Sequence, residues 1–236
     1  MKILGIDTTG QTASAALVED DRLIAEFTLN YKLTHSQTIM PMIAEIIERS
    51  ETDKASIDCI ACAAGPGSFT GLRIGAATAK GFALAWDKPL VAVPTLDALA
   101  YNVFETGKFI CPIMDARRNQ VYAAFYMWEN GRLIRLTDHM AESIERIIEI
   151  AEMLEHEVIF LGDGVPVHRK KLEENEKFLF APAHCNLQRA ASVAALGSLL
   201  AEEGMAKSSD AFELIYLRKS QAEREREERL AKEEEQ

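Results

Sequence analysis

Residues 65–75 read GPGSFTGLRIG, a glycine-rich turn with a serine that runs into a helix-forming segment. Two architectures compete for it: a loop that cradles phosphate, or a strand-to-helix turn whose glycines serve packing. A P-loop needs G-x-x-x-x-G-K-[ST], with its lysine on the terminal phosphates and its hydroxyl on magnesium. Here Gly71 is followed by Leu72 and Arg73, so the lysine is missing. The G-x-G-x-x-G spacing of a dinucleotide fold is missing too. What remains is a tight turn at Gly65-Pro66-Gly67, Ser68 as the helix cap, and a helix N-terminus with weak affinity for anions.

The helix expected over residues 69–86 carries only Arg73 and Lys80 as charges. Gly71, Gly75 and Ala79 fall at i, i+4 and i+8, one smooth stripe, with Leu72, Ala76, Ala83 and Trp86 on neighbouring faces. An interior glycine costs ~1 kcal/mol against alanine, so two on one stripe predict the close approach of another backbone. A helix apolar all round must be covered all round. Its own sheet covers one side. The other cover is either the chain's own helix over 34–50 or a second protein, and the preferred reading is that both helices offer apolar ridges to a partner. On that reading Gly75→Leu breaks the association and leaves the monomer folded.

Outward from this stretch, residues 2–8, 13–19 and 23–29 read as an antiparallel meander, with EDDR turning the second strand into the third. The helix over 34–50 has Thr34 and Gln37 placed as a capping box and Ile39, Met42, Ile43, Ile46 and Ile47 as an apolar stripe; Pro41 predicts a kink or a late start. Residues 57–64 and PLVAV read as buried parallel strands, and TLDALAYNV as a short helix capped by Thr95. Strands alternate with helices, so the class is α/β.

The second half restarts the same programme. ILGIDTTGQTASAA from Ile3 lies over CPIMDARRNQVYAA from Cys111 at a constant offset of 108, Asp7 on Asp115 and Ala15-Ala16 on Ala123-Ala124. Asn130-Gly131 is a strong hairpin turn. A helix over 143–154, a strand over 158–161 and a helix over 188–204 follow. This predicts two lobes, 1–107 and 108–219, and a charged tail over 220–236 with too few apolar residues to join a core.

Chemistry is sparse. Acids outnumber bases 37 to 26, for a net charge of −11, which disfavours direct binding of RNA or other nucleic acid, since that affinity rests on Lys and Arg neutralising phosphates. The apolar run after Lys2 is broken at Asp7, and no stretch is long enough to span a membrane, so a cytoplasmic location is expected. Cys59 and Cys62 lie on opposite faces of a strand, roughly 10 Å apart, as core thiols. The five histidines are scattered, and the residue four after His35 is Ile39, so neither a metal nor a cofactor is expected. Ser68 lacks a nucleophile elbow, which leaves a peptidase without support. Asp7 and Asp115, with Thr8 and Thr9, stand where a duplicated ATPase would hold magnesium and water; the alternative is that Asp7 merely caps the turn after its strand. GDGVP at Gly162 is the nearest match to an adenosine-binding glycine pair. Arg117 and Arg118, in a turn, suit an anion or an acidic partner surface.

Taken together, GIDTT, HS..I.P.I from His35, GPGSFTGLRIG, P.LDALA from Pro94 and DARRNQVY from Asp115 resemble the TsaB (YeaZ) family over roughly residues 1–130. The resemblance implies an actin-like ATPase fold of two duplicated ribonuclease-H-like lobes. It also implies a non-catalytic scaffold subunit of the bacterial machinery that makes threonylcarbamoyladenosine beside the tRNA anticodon. Its implied partners are TsaD, the catalytic subunit, and TsaE, a P-loop ATPase, with a homodimer on the same surface when TsaD is absent and tRNA contacted only through the complex. Carried over by position, the implied interface is Ile39, Met42, Ile43 and Ile46 in the first helix and Gly71, Leu72, Gly75, Ala79 and Phe82 in the second. The rival to this reading is a self-sufficient ATPase or sugar-kinase-type enzyme using Asp7 and Asp115.

Overall fold

The computed structural model describes residues 1–31 and 34–218; the expected tail lies outside them. Strands β1 (Lys2–Asp7), β2 (Ala13–Glu19), β3 (Arg22–Leu29), β4 (Cys59–Gly65) and β5 (Leu90–Pro94) form one sheet in the order β3-β2-β1-β4-β5. The first three run antiparallel and the last two are parallel to β1. The two-residue period of a strand sorts their apolar side chains into two cores. Leu4, Ile6, Ile60 and Cys62 face one, and Ile3, Cys59, Ala61 and Ala63 the other. The two cysteines are thus on opposite faces, free and buried, as their spacing predicts.

Helices α1 (His35–Arg49) and α2 (Phe69–Trp86) cover the first face. α1 begins at His35 with Pro41 inside it, and Thr34 makes no side-chain cap bond, so the capping box does not form. α3 (Thr95–Ala100) starts at Thr95 rather than being capped by it; the Thr95 hydroxyl instead accepts a bond from the Gly65 amide at 3.0 Å.

The second sheet repeats the order and the directions of the first. β6 (Phe109–Asp115), β7 (Gln120–Ala123), β10 (Met140–Ser143), β11 (Val158–Leu161) and β12 (Phe178–Phe180) run β10-β7-β6-β11-β12. An added hairpin, β8 (Tyr126–Glu129) and β9 (Arg132–Arg135), turns at Asn130 and Gly131 with φ of 50° and 75°, the paired left-handed conformation that Asn-Gly favours. Pairing of Asp7 with Ser14 but of Asp115 with Val121 moves the equivalence of β2 and β7 by one residue from the constant offset. α4 (Ile144–Met153) and α5 (Gly164–Leu172) cover this sheet as α1 and α2 cover the first.

The third helix of each half crosses over. Leu96, Leu99 and Ala100 of α3 pack with Ile110, Met114 and Tyr126 of the second half. α6 (Ala190–Glu202) lies on the first sheet, where Val193 and Ala194 meet Ile3, Ala61 and Val93. Close approach is built in, since a Cβ on Gly5 would overlap the Ala190 carbonyl and one on Gly197 the Ala61 methyl. Ser14 and Glu26 of the first sheet accept bonds from Ala190 and Ala191, the first amides of α6. Lys207 then pairs with Leu90, and Phe212 enters the first core. The boundary near 107 therefore separates the sheets, but residues 190–217 return to the first lobe, contrary to a second lobe running to 219.

Candidate functional site

The Asp7-Thr8-Thr9 turn is locked onto the glycine loop. Asp7 Oδ1 accepts the Thr9 amide at 2.8 Å and the Thr9 hydroxyl at 2.7 Å. The Thr8 hydroxyl donates to Gly71 O at 2.7 Å, and the Ser68 amide to Thr9 O at 2.7 Å. Each glycine has its neighbour here: a Cβ on Gly67 would stand 2.6 Å from Thr9 O, one on Gly71 would overlap Thr8 O, and one on Gly75 would stand 2.5 Å from Thr8 Oγ1. The approaching backbone is the chain's own. Ser68 caps α2 as expected, its hydroxyl accepting from the Gly71 amide at 3.3 Å.

This corrects the interface drawn from the stripe. Gly71, Leu72, Gly75 and Ala79 are buried within the lobe, as are Ile39, Ile43 and Ile46, while Met42 and Phe82 are half-buried against the same core. The expectation that Gly75→Leu spares the monomer falls with it. The outward face of the pair is a different set. Met40 is 50% exposed and Leu84 78%, and Thr70, Ala77, Gly81 and Ala85 are exposed along α2. Among the described residues nothing lies within 4 Å of a Cβ built on Gly81, so none of them gives this mid-helix glycine a packing reason. The sequence carries the signal as a third glycine in the same helix, exposed on a different face from the buried Gly71 and Gly75.

Between the lobes lies a cleft of about 540 Å³, walled by Thr9, Gly10, Gln11 and residues 66–70 on one side and by residues 114–117, Tyr122 and Asp163 on the other. Asp115 repeats the turn of Asp7, its Oδ1 accepting the Arg117 amide at 2.8 Å, but it faces the cleft and is exposed. Asp7 does not line the cleft. Buried in the turn, its carboxyl is pushed up to about 6 by desolvation, against the pull of the Thr9 bonds. Asp163, at the GDGVP segment, is also pushed up to about 6 by burial. Its carboxylate accepts the Asp115 amide at 3.0 Å and feels the Gln11 amide of the opposite lobe, which pulls its pKa down, so it faces both walls of the cleft. The glycines beside it serve packing, because a Cβ on Gly162 would overlap Ile113 O and one on Gly164 would stand 3.0 Å from it. Arg117 lines the cleft, whereas Arg118 sits on an exposed turn with Asn119, both in the left-handed region and closed by Gln120 N to Arg117 O at 3.1 Å. The paired arginines are thus divided.

Two sheets that share one strand order and one set of directions and face a common cleft define a duplicated ribonuclease-H-like fold. The sequence matches the family model described as "TsaD: tRNA N6-adenosine threonylcarbamoyltransferase" over residues 22–225. It is 35% identical to the tRNA threonylcarbamoyladenosine biosynthesis protein TsaB of Bacillus subtilis over 174 residues, 74% of this chain and 76% of that one. Against TsaB of Escherichia coli the figure is 39% over 134 residues, 56% and 58% of the two chains. The solved structure of YeaZ from Pseudomonas aeruginosa superposes with a TM-score of 0.79 at 22% identity, covering 92% of this chain and 99% of that one. The chain belongs to the TsaB (YeaZ) branch of this family.

Proposed function

We propose that this chain serves tRNA threonylcarbamoyladenosine synthesis as a non-catalytic scaffold, docking a TsaD-type transferase through the outer face of α1 and α2. TsaE joins the pair, tRNA is met only through the complex, and the same face closes a homodimer when the transferase is absent. Supporting this reading are the names of the relatives and the match to the transferase model itself, since two chains of one fold pack naturally through equivalent helices. The observation that carries it is Gly81. A solvent-facing helical glycine costs ~1 kcal/mol against alanine, and with Leu84 and the exposed Ala77 and Ala85 on the same helix it leaves room for a second helix to come close.

The ATPase rival is disfavoured by the turn after β1. Asp7 spends its carboxylate on Thr9, and the Thr8 and Thr9 hydroxyls are spent on Gly71 O and Asp7.

The test is light scattering of the full chain alone and mixed with a TsaD-type subunit. Gly81→Leu is expected to abolish association with an unchanged melting curve, while Gly75→Leu is expected to destabilise the monomer by several kcal/mol, of order 3, through overpacking against Thr8. Undiminished association of Gly81→Leu would refute the docking face.

A further inference from the structure

The turn after β1 is pinned at both ends. Thr8 donates to Gly71 O and Thr9 O accepts the Ser68 amide on one side, and the Thr12 hydroxyl donates to Gln188 O at 3.2 Å on the other. Between these anchors a single peptide unit, that of Gly10 and Gln11, faces two ways. Its carbonyl accepts from His35 Nε2, in the first residue of α1, at 3.0 Å. Its amide stabilises the charged carboxylate of Asp163 in the other lobe. The first helix and the second lobe are thus tied to opposite ends of one peptide plane.

A second partner lies beside that peptide. Gln188 is 1% exposed, and neither its Nε2 nor its Oε1 has a hydrogen-bond partner among the described residues. Its side-chain amide is pressed against Gly10, since a Cβ built there would stand 2.5 Å from Nε2 and 2.7 Å from Oε1. His35 Nδ1 is likewise buried and unpartnered, so three of the four such side-chain atoms among the described residues surround this one glycine. A buried amide left unpaired is costly, and here the pressure to pair it falls on a residue with the backbone freedom to turn. We propose that the peptide of Gly10 and Gln11 is a two-position switch: its carbonyl turns from His35 to Gln188 Nε2, and the same rotation takes the Gln11 amide off Asp163. One rotation frees the start of α1 and the hold on the second lobe together, so whatever fixes either of them fixes the other. The two positions exchange hydrogen bonds instead of losing them, which keeps them close in free energy. The switch belongs to the isolated chain and depends on neither a docked partner nor a ligand.

The switch is tested in the full chain by backbone-amide relaxation dispersion on three proteins. The wild type is compared with Gln188→Leu, which removes the second partner, and with His35→Phe, which removes the first. Microsecond-to-millisecond exchange shared by the amides of Gly10, Gln11 and Asp163 is expected in the wild type and is expected to be silenced in Gln188→Leu. In His35→Phe the minor population is expected to rise at least about threefold. A melting curve accompanies each variant, and Gln188→Leu is expected to melt no lower than the wild type, because it discards an unpaired amide. The switch is overturned if these amides are static in the wild type, if their exchange survives Gln188→Leu, if the population is unchanged in His35→Phe, or if the three amides exchange at unrelated rates. A lower melting temperature for Gln188→Leu overturns it as well, since that amide is then already satisfied in the native state by bound water.

Discussion

At Asp7 the turn chemistry and the burial pull in opposite directions. Thr9 gives its carboxylate two bonds, yet complete desolvation outweighs them and raises the carboxyl to about 6. A folded-state value above the unfolded one means that the proton binds the native state more tightly. The resulting stabilisation is full below pH ~4 and is lost as pH rises through ~6, of order 2–3 kcal/mol for a shift of this size. Asp7→Asn keeps an oxygen acceptor for Thr9 and carries no charge. It is expected to raise the melting temperature by roughly 3–8 °C at pH 8 and to give no gain at pH 4, as thermal melts across that range will record. An equal gain at both pH values would remove desolvation as the cause. Asp163, raised to about 6 as well, adds a second such slope that the Asp7 variant leaves in place. That a carboxylate followed by hydroxyls would cap the turn after β1 was already legible in GIDTT. The cross-lobe carboxylate of Asp163 was not, because nothing local to GDGVP says that the Gln11 and Asp115 amides converge on it.

Among the elements, α2 was legible to the residue at both ends and yet its faces were misassigned. A stripe of small residues announces that a backbone comes close, but not whose backbone. Here it is the Thr8-Thr9 turn, a contact across more than sixty residues of sequence that periodicity cannot see. The strands of the first sheet were legible as apolar segments punctuated by the EDDR turn, as was the Asn-Gly hairpin of the second, whereas the short β10 and β12 were not foreseen. The destination of α6 was hidden for the same reason as that of α2. It is apolar on most sides, and its small residues Ala190, Ala194 and Gly197 meet Gly5 and Ala61. Gly197→Leu should therefore push α6 off β4 and lower stability by about 3 kcal/mol or more. The loss of hydrogen-exchange protection should spread through β1, β4 and β5 while β11 and α4 keep theirs. Uniform loss over both sheets would mean that the lobes melt as one unit.

For the molecule as a whole, the duplication was legible as a repeat of strand order, since Asp7 and Asp115 close equivalent turns. The exchange of third helices was not, because each is contiguous in sequence with the lobe it leaves. Charge acts at this scale as well. With a net charge of −11 the isolated chain is expected to retain no tRNA in filter binding at physiological salt, where nonspecific affinity depends on phosphate neutralisation. Retention that appears only with a transferase subunit fits the scaffold. Retention by the chain alone, falling with added salt, would mean that it owns a basic surface.

The crossing of α6 also has a consequence for synthesis on the ribosome. The chain leaves the tunnel from its N-terminus, and domains ordinarily close in that order. Here the first sheet, made early, stays bare on the face of Ile3, Ala61 and Val93 until Ala190–Glu202 emerges, whereas the second sheet has α4 and α5 to hand as soon as it is made. The first lobe to be translated is the last to be sealed, and for most of its translation an apolar sheet face is exposed to whatever chaperone or neighbouring chain is near.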